Sequence, residues 1–537
     1  MTIEDLPAEL LREIMSHLRS PIPMNDSQYR FDWRSNHGDE NTGALQAIKS
    51  ARLTCRRFNE AASQFLLPCV SVSVDQRSLA WIETILENPL ITSGVNCVSV
   101  DLSFYPREVV TSLEVFRERQ MYDIEDDCSY LTHGERFGYR PHCHTLHAEG
   151  EGDCSDIEGD IIAKTEGHIS AISASWGHGP DREATSASVN YLGALHDAYN
   201  TFKASYKEQT ELLNSGRFAK TLASLISRLP AFRELRLYDK PKSPRSKHDP
   251  LETFSEHYPF KRFLTTPYNF LAAQDNLAPE TMEIPTARIL RELPIAIHEA
   301  GATIRNLRIA RFPIHPTDVS RFDITGCEEQ FRAALNSLER FELFAHCRRS
   351  RTRDDPVPWL ESVDAITDKY LAAVISSPSL KELELAFEPY YAKAERYPVS
   401  APISALTSES IMSVLLQHVS LPQNAFDHLC SQASHAMERM CLFQVNMPEG
   451  SWTPGVTVLR EKTAARCKEG TCLVEAEYLR GGMYNGNGRD VSMRNWQRKI
   501  AGRYTGPPFV QPRAPVATAL SRAVNALISK HSDPPVA

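Results

Sequence analysis

Apolar positions along this chain follow two rhythms after a distinctive opening. In MTIEDLPAELLREIMSHL, Leu6, Leu10, Leu11, Ile14, Met15 and Leu18 recur at helical spacing and fan across roughly 180° of a helical wheel. A helix lying on one core needs a stripe of only about 100°. The extra width predicts a helix with a core on one flank and a partner on the other. Pro7 suits the first helical position, where a missing N–H costs nothing, and Pro21 and Pro23 stop the run. A stretch rich in turn formers, residues 19–43, reads as a loop insertion. Leu45, Ile48 and Leu53 then mark one short helix. Phe58, Ala61, Ala62 and Phe65 share a face of another, closed by Pro68.

Beyond Pro68 a helical stretch is repeatedly followed by a short alternating strand. The strand segments end in Val98, Val100 and Leu102; Leu235 and Leu237; Leu307 and Ile309; Phe341 and Leu343; Leu380, Leu383 and Leu385; and Met440, Leu442 and Phe443. The phrase Leu-x-x-Leu-x-Leu in SLKELEL, with FRELRL close to it, resembles the strand segment of a leucine-rich repeat. Successive segments lie about 34 to over 70 residues apart, against ~20–29 for regular repeats. The fold class expected is therefore mixed α/β, an irregular leucine-rich-repeat-like helix–strand solenoid with large insertions. A globular α/β body with parallel pairing is the alternative.

Alternation sends successive side chains to opposite faces of a strand. With the leucines inward, Arg236, Arg308 and Glu384 point outward, with Arg233, Arg305 and Lys381 beside the strands. Arg236, Arg308 and Lys381 are the candidate target-binding residues. A partly basic face of this kind suits an acidic or phosphorylated target; a solvated strand face without a ligand is the alternative.

The opening helices carry a resemblance. LPAELLREIMSHL followed by ARLTCRRFNEAA, with its Cys55-Arg56-Arg57-Phe58 stretch, is similar to the F-box, and most closely to F-box proteins of filamentous fungi. The resemblance covers residues 1–70. It implies docking on the Skp-type adaptor of a cullin-RING ubiquitin ligase, and through it on the cullin and RING subunits. The docking residues it implies are Leu6, Pro7, Leu10, Ile14, Leu53, Cys55 and Phe58. A helical cap on the following domain is the plainer alternative.

Composition narrows the picture further. The chain has 537 residues, 42% hydrophobic and 24% charged, with a net charge of −9 and a pI near 6.1. That balance builds a core and argues against a wholly nucleic-acid-binding surface. No apolar run approaches the ~18 residues of a membrane span. Twelve scattered cysteines without a CxxC pair fit reduced thiols in cytoplasm or nucleus.

Two segments break the grammar. Residues 122–182 are acid-rich and read as a disordered, removable insert separating a first repeat-like unit (71–121) from the main body (183–455). Within the insert, Cys128, His133, His142, Cys143, His144, His147 and Cys154 carry zinc-ligand chemistry in a spacing that matches no regular module, so no metal or cofactor is expected. Residues 456–537 read as a basic, then Pro-rich tail. Its aromatics allow a nucleic-acid patch, but the charge surplus is small and a solvated edge is the expectation.

There is no phosphate loop, no GxSxG elbow and no HExxH. The expected function is a non-catalytic substrate receptor of an SCF-type ubiquitin ligase holding an unidentified target protein. A scaffold that binds the adaptor without delivering a target is the alternative.

Overall fold

The computed structural model describes residues 6–19, 42–133, 154–177, 190–239, 257–270, 284–312, 321–347, 360–389, 396–469, 471–477 and 479–483. Alternating apolar positions build its main sheet. Val70 and Val72 of β1 (Cys69–Ser73) and Val98 and Val100 of β2 (Cys97–Asp101) are buried, as are Leu235 and Leu237 of β3 (Glu234–Tyr238). The same alternation recurs in β4 (Asn306–Phe312), β5 (Arg340–Cys347) and β6 (Glu382–Pro389). Beyond β7 (Tyr397–Pro398) it continues in β8 (Ser413–Gln417). Beyond β9 (Val419–Ser420) comes β10 (Arg439–Phe443), buried throughout from Met440 to Phe443, and beyond β11 (Asn446–Ser451) comes β12 (Leu473–Glu477), with Val474 buried.

The main sheet has nine strands in the order β1-β2-β3-β4-β5-β6-β8-β10-β12, which is chain order, with parallel neighbours throughout. Parallel strands need crossovers, and helices supply them. Gln76–Leu86, Arg217–Ile226, Ile289–Glu299, Glu328–Ala334, Leu360–Ile375, Ser400–Ser404, Gln423–Gln432 and Thr453–Glu469 pack side by side in that order. One continuous apolar core runs between sheet and helices from Val70 to Leu479.

A smaller parallel sheet forms beside the last four units, in the order β13-β11-β9-β7, with β13 spanning Arg480–Met483. His418 (φ 56°) separates β8 from β9, and Gln444 (φ 53°) separates β10 from β11. A left-handed residue at each of these points turns the chain from one sheet into the other. A side chain with a Cβ pays about 1–2 kcal/mol there, whereas glycine pays mainly in unfolded-state entropy. Gln444→Gly should therefore raise the unfolding free energy by about 1 kcal/mol, read as a higher urea midpoint at unchanged slope.

Three expected boundaries change. The 122–182 segment is not separable: Leu113–His133 and Cys154–Ser175 are helices, and Ile124, Ile172 and Trp176 are core residues. The Trp176 indole N–H donates to the Tyr191 carbonyl at 3.1 Å. The abundance of acids masked the helical spacing of these apolar residues. The acidic, His-rich stretch with His142, Cys143, His144 and His147 lies outside the described residues.

The 71–121 unit is not separate either, since β2 bonds directly to β3. The body also passes the expected limit at 455: Thr453–Glu469, β12 and β13 extend it, with Leu459 and Cys472 buried. The remainder of the expected tail, 484–537, is outside the described residues, as is 20–41 of the expected loop insertion. Strands β1, β8 and β12 carry no mark in the sequence reading. With them, units are shorter than expected: Val414 and Met440 are register partners 26 residues apart (414 to 440).

The N-terminal helices join the sheet tightly. The Pro68 carbonyl accepts from the Asn96 and Cys97 amides, both at 3.0 Å. The short helix Pro89–Thr92 lies on the turn Ser63–Phe65. At Gly94 a Cβ would stand 1.7 Å from the Gln64 carbonyl oxygen, so only glycine permits this approach.

Candidate interaction surfaces

Three helices form the N-terminal unit: α1 (Ala8–Arg19), α2 (Thr42–Arg52) and α3 (Arg56–Ala62). All three pack on one another. Their small core is Met15, Ile48 and Ala62, with Ala51, Phe58, Phe65 and Leu66 against it. Arg57 ties the two ends of the unit together by donating to the Leu6 carbonyl at 2.8 Å. Arg52 Nε donates to Asn59 Oδ1 and Ser63 Oγ, both at 3.0 Å, bracing α2 on α3.

The seven docking candidates divide by exposure. Leu6, Ile14, Cys55 and Phe58 are half-buried, whereas Pro7, Leu10 and Leu53 are exposed. Leu11 and Met15 take the inner side of α1, while Leu10 keeps 50% of its surface in water. Leu53, just past α2, is 88% exposed. Two uncovered leucines on so small a helical unit leave apolar area for something outside it.

The second surface is the sheet face opposite the helices. Register places Ser99, Arg236, Arg308, Glu342, Glu384, Leu415, Cys441 and Glu475 side by side in one row across β2–β12. A parallel row holds Glu234, Asn306, Arg340, Glu382, Ser413 and Arg439. Arg236 and Arg308 are thus immediate neighbours, 72 positions apart in sequence (236 to 308). Lys381 stands apart from them at the entrance to β6, where its ammonium meets Glu339 at 2.9 Å.

The face is not a bare basic strip. Arg236 is paired with Glu234 at 2.6 Å, and Arg308 with Glu342 at 3.2 Å. Arg340 bridges Glu342 and Glu382. Both arginines expected to bind a target are half-buried, so the expected freely solvated pair gives way to an interlocked charge lattice. Glu342 and Glu384, with Arg340, are the residues the sequence reading did not assemble. The outward alternation in FELF and KELEL marks each glutamate individually. Strand register, which puts them next to the arginines, has no local signal.

Glu384 differs from the other acids. Among the described residues its carboxylate makes no hydrogen bond and no ion pair within reach. Burial, then the neighbouring Glu342 carboxylate, pushes its pKa from the ordinary 4.5 up to about 7; Arg308, Arg340 and Arg439 oppose the rise.

A carboxyl that holds its proton more tightly when folded favours the folded state below its unfolded pKa. That advantage is lost as pH rises through the folded pKa. Stability should therefore fall by about 3 kcal/mol between about pH 4.5 and pH 7–8 from this group alone. Glu384→Gln should remove that fall. Urea titrations at pH 5 and pH 8 on both proteins check it, the difference between the two proteins cancelling other carboxylates.

The chain matches no family model, no curated protein and no solved structure. Both surfaces therefore stand on their own geometry. No helix among the described residues is long and apolar enough to cross a membrane.

Proposed function

We propose that this chain is the substrate-recognition subunit of an SCF-type cullin-RING ubiquitin ligase. On this reading α1–α3 are an F-box docking the Skp-type adaptor, and the remainder is an irregular leucine-rich-repeat-like solenoid that holds a target protein. The observation that carries the reading is the pair of leucines, Leu10 and Leu53, left uncovered on the N-terminal unit. They belong to the two motifs that resemble the F-box, and the Arg57–Leu6 bond brings those motifs into one unit. Covering such apolar surface in a complex favours association.

The remainder fits a holder of partners. Units added in chain order line up one long sheet face, on which Arg236, Arg308, Glu384 and Leu415 are half-buried. The ligase chemistry then belongs to the cullin and RING partners, and this chain contributes proximity and orientation.

The test is co-purification of the full chain with adaptor and cullin, followed by a search for ubiquitin conjugates that disappear on its deletion. Recovery of adaptor, cullin and such conjugates supports the receptor. Adaptor without conjugates supports the scaffold alternative. No adaptor refutes the F-box reading.

A further inference from the structure

Two thiols meet where the helical unit joins the sheet. Cys69 of β1 and Cys97 of β2 are register partners, and their Sγ atoms lie 3.1 Å apart. Val70 and Val98, the next residue on each strand, belong to the core beneath the helices. Both cysteines therefore project from the opposite face of the sheet. Neighbouring strands run ~4.8 Å apart, inside the Cα range of about 4.4–6.8 Å that a disulfide spans. Closing the remaining gap asks the two sulfurs to approach by about 1 Å.

The two sulfurs are not equivalent. Cys97 is 1% exposed, whereas Cys69 is half-buried on the terminal strand, with no strand beyond it among the described residues. Contact with Cys69, then burial, hold the Cys97 thiol well above its ordinary range. Cys97 thus keeps its proton, and Cys69 is the sulfur open to a reagent. The Arg236 guanidinium acts on both sulfurs, and a nearby cation favours a thiolate. Glu234, the ion-pair partner of Arg236, opposes it at Cys97.

We propose that Cys69 and Cys97 are a peroxide-sensitive dithiol whose oxidation bolts the first two strands together at the joint with the helical unit. The Cys69 thiolate attacks one oxygen of hydrogen peroxide and the O–O bond breaks. The departing hydroxide takes up the proton that Cys69 released and leaves as water. Sulfur is oxidised to the sulfenic acid and the peroxide is reduced. The Cys97 sulfur then attacks the Cys69 sulfur. The S–S bond forms, the S–O bond breaks, and the hydroxyl leaves with the Cys97 proton as a second water. In sum, two thiols and one hydrogen peroxide give one disulfide and two waters. The bridge would stand beside the Pro68 carbonyl, which already accepts from the Cys97 amide at 3.0 Å. Thiol reductants would reverse it. None of this depends on what α1–α3 bind.

The experiment treats the full, reduced chain with equimolar hydrogen peroxide, blocks the remaining thiols, and maps peptides by mass spectrometry without reductant. A cross-linked Cys69–Cys97 peptide pair, two hydrogens lighter than its parts, should appear and should vanish with dithiothreitol. In Cys97→Ser no such cross-link should form, and a sulfenic acid trapped at Cys69 by dimedone should accumulate. In Cys69→Ser the Cys97 thiol should stay unmodified. The urea midpoint of the wild type should rise on oxidation and return on reduction, because a closed loop restricts the unfolded chain. Urea melts also establish that the variants are folded, and the wild-type peptide map stands without them.

Cys467 and Cys472, which share a thiol hydrogen bond, are the competing pair. Persistence of the Cys69 and Cys97 thiols under peroxide, a Cys467–Cys472 cross-link with none between Cys69 and Cys97, or an unchanged midpoint in the cross-linked wild type would overturn the proposal.

Discussion

Leu10→Asp combined with Leu53→Asp should abolish capture of the Skp-type adaptor, weakening it by at least about 100-fold, while the melting temperature stays within a few degrees of the wild type. Both side chains are exposed, so neither substitution buries a charge in the free protein. Surface changes of this kind usually stay within about 0.5 kcal/mol. In a complex the same two carboxylates would be desolvated without partners, at several kcal/mol each. The contrast between a silent melt and a lost complex is the signature of a docking surface. Met15→Ala is the complementary variant. Met15 is a core residue of the three-helix unit, so its truncation should lower stability by about 2–5 kcal/mol and weaken docking only as the unit unfolds. Retention of adaptor by the folded double aspartate variant would refute the F-box proposal.

Arg308→Glu should destabilise the body by about 3–5 kcal/mol. From sequence alone the reversal looks harmless, because an outward residue on a solvated strand tolerates either sign. The structure puts Arg308 in an ion pair with Glu342, whose side chain is only 11% exposed. The new carboxylate would face Glu342 on the next strand and approach Glu384 beyond it. Three carboxylates along one row would repel in a partly dehydrated setting. Arg308→Met keeps the packing against Phe344 without adding a charge, and should cost less than the reversal. Urea unfolding at pH 8, where Glu384 is ionised, should show the largest difference. Equal stability of Arg308→Glu and the wild type would mean that the charge lattice contributes nothing to folding.

Much of the main sheet was legible because strand interiors announce themselves by period. Leu235 and Leu237, Leu307 and Ile309, and Leu383 and Leu385 alternate in sequence and are buried in the fold. Strand β8 escaped notice because SVLLQ places Leu415 between Val414 and Leu416. That run reads as continuous, and only a five-residue helix, Ser400–Ser404, precedes it. The helices around 122–182 escaped because acids dominate the composition while the few apolar residues that matter, such as Ile124 and Trp176, are widely spaced. At the open face, the sequence shows outward arginines and glutamates but not their partners. Arg308 and Glu342 are 34 positions apart (308 to 342), and only strand register makes them a pair. How far the charges on a face engage one another therefore depends on strand register, which period alone does not encode.

The contact at Gly94 has a mechanical consequence. A nine-strand sheet spans about 38 Å from first strand to last at ~4.8 Å per strand, and the three-helix unit is fastened to its first strand. The whole sheet is a lever arm with its pivot at the Gln64–Gly94 contact. Tilting the pivot by about 10° would swing the last strand by roughly 7 Å, more than one strand spacing. A Cβ at position 94 would collide with the Gln64 carbonyl, so the two segments could not keep this approach. The absence of one methyl group thus sets where the far end of the molecule stands relative to anything gripping its helical end.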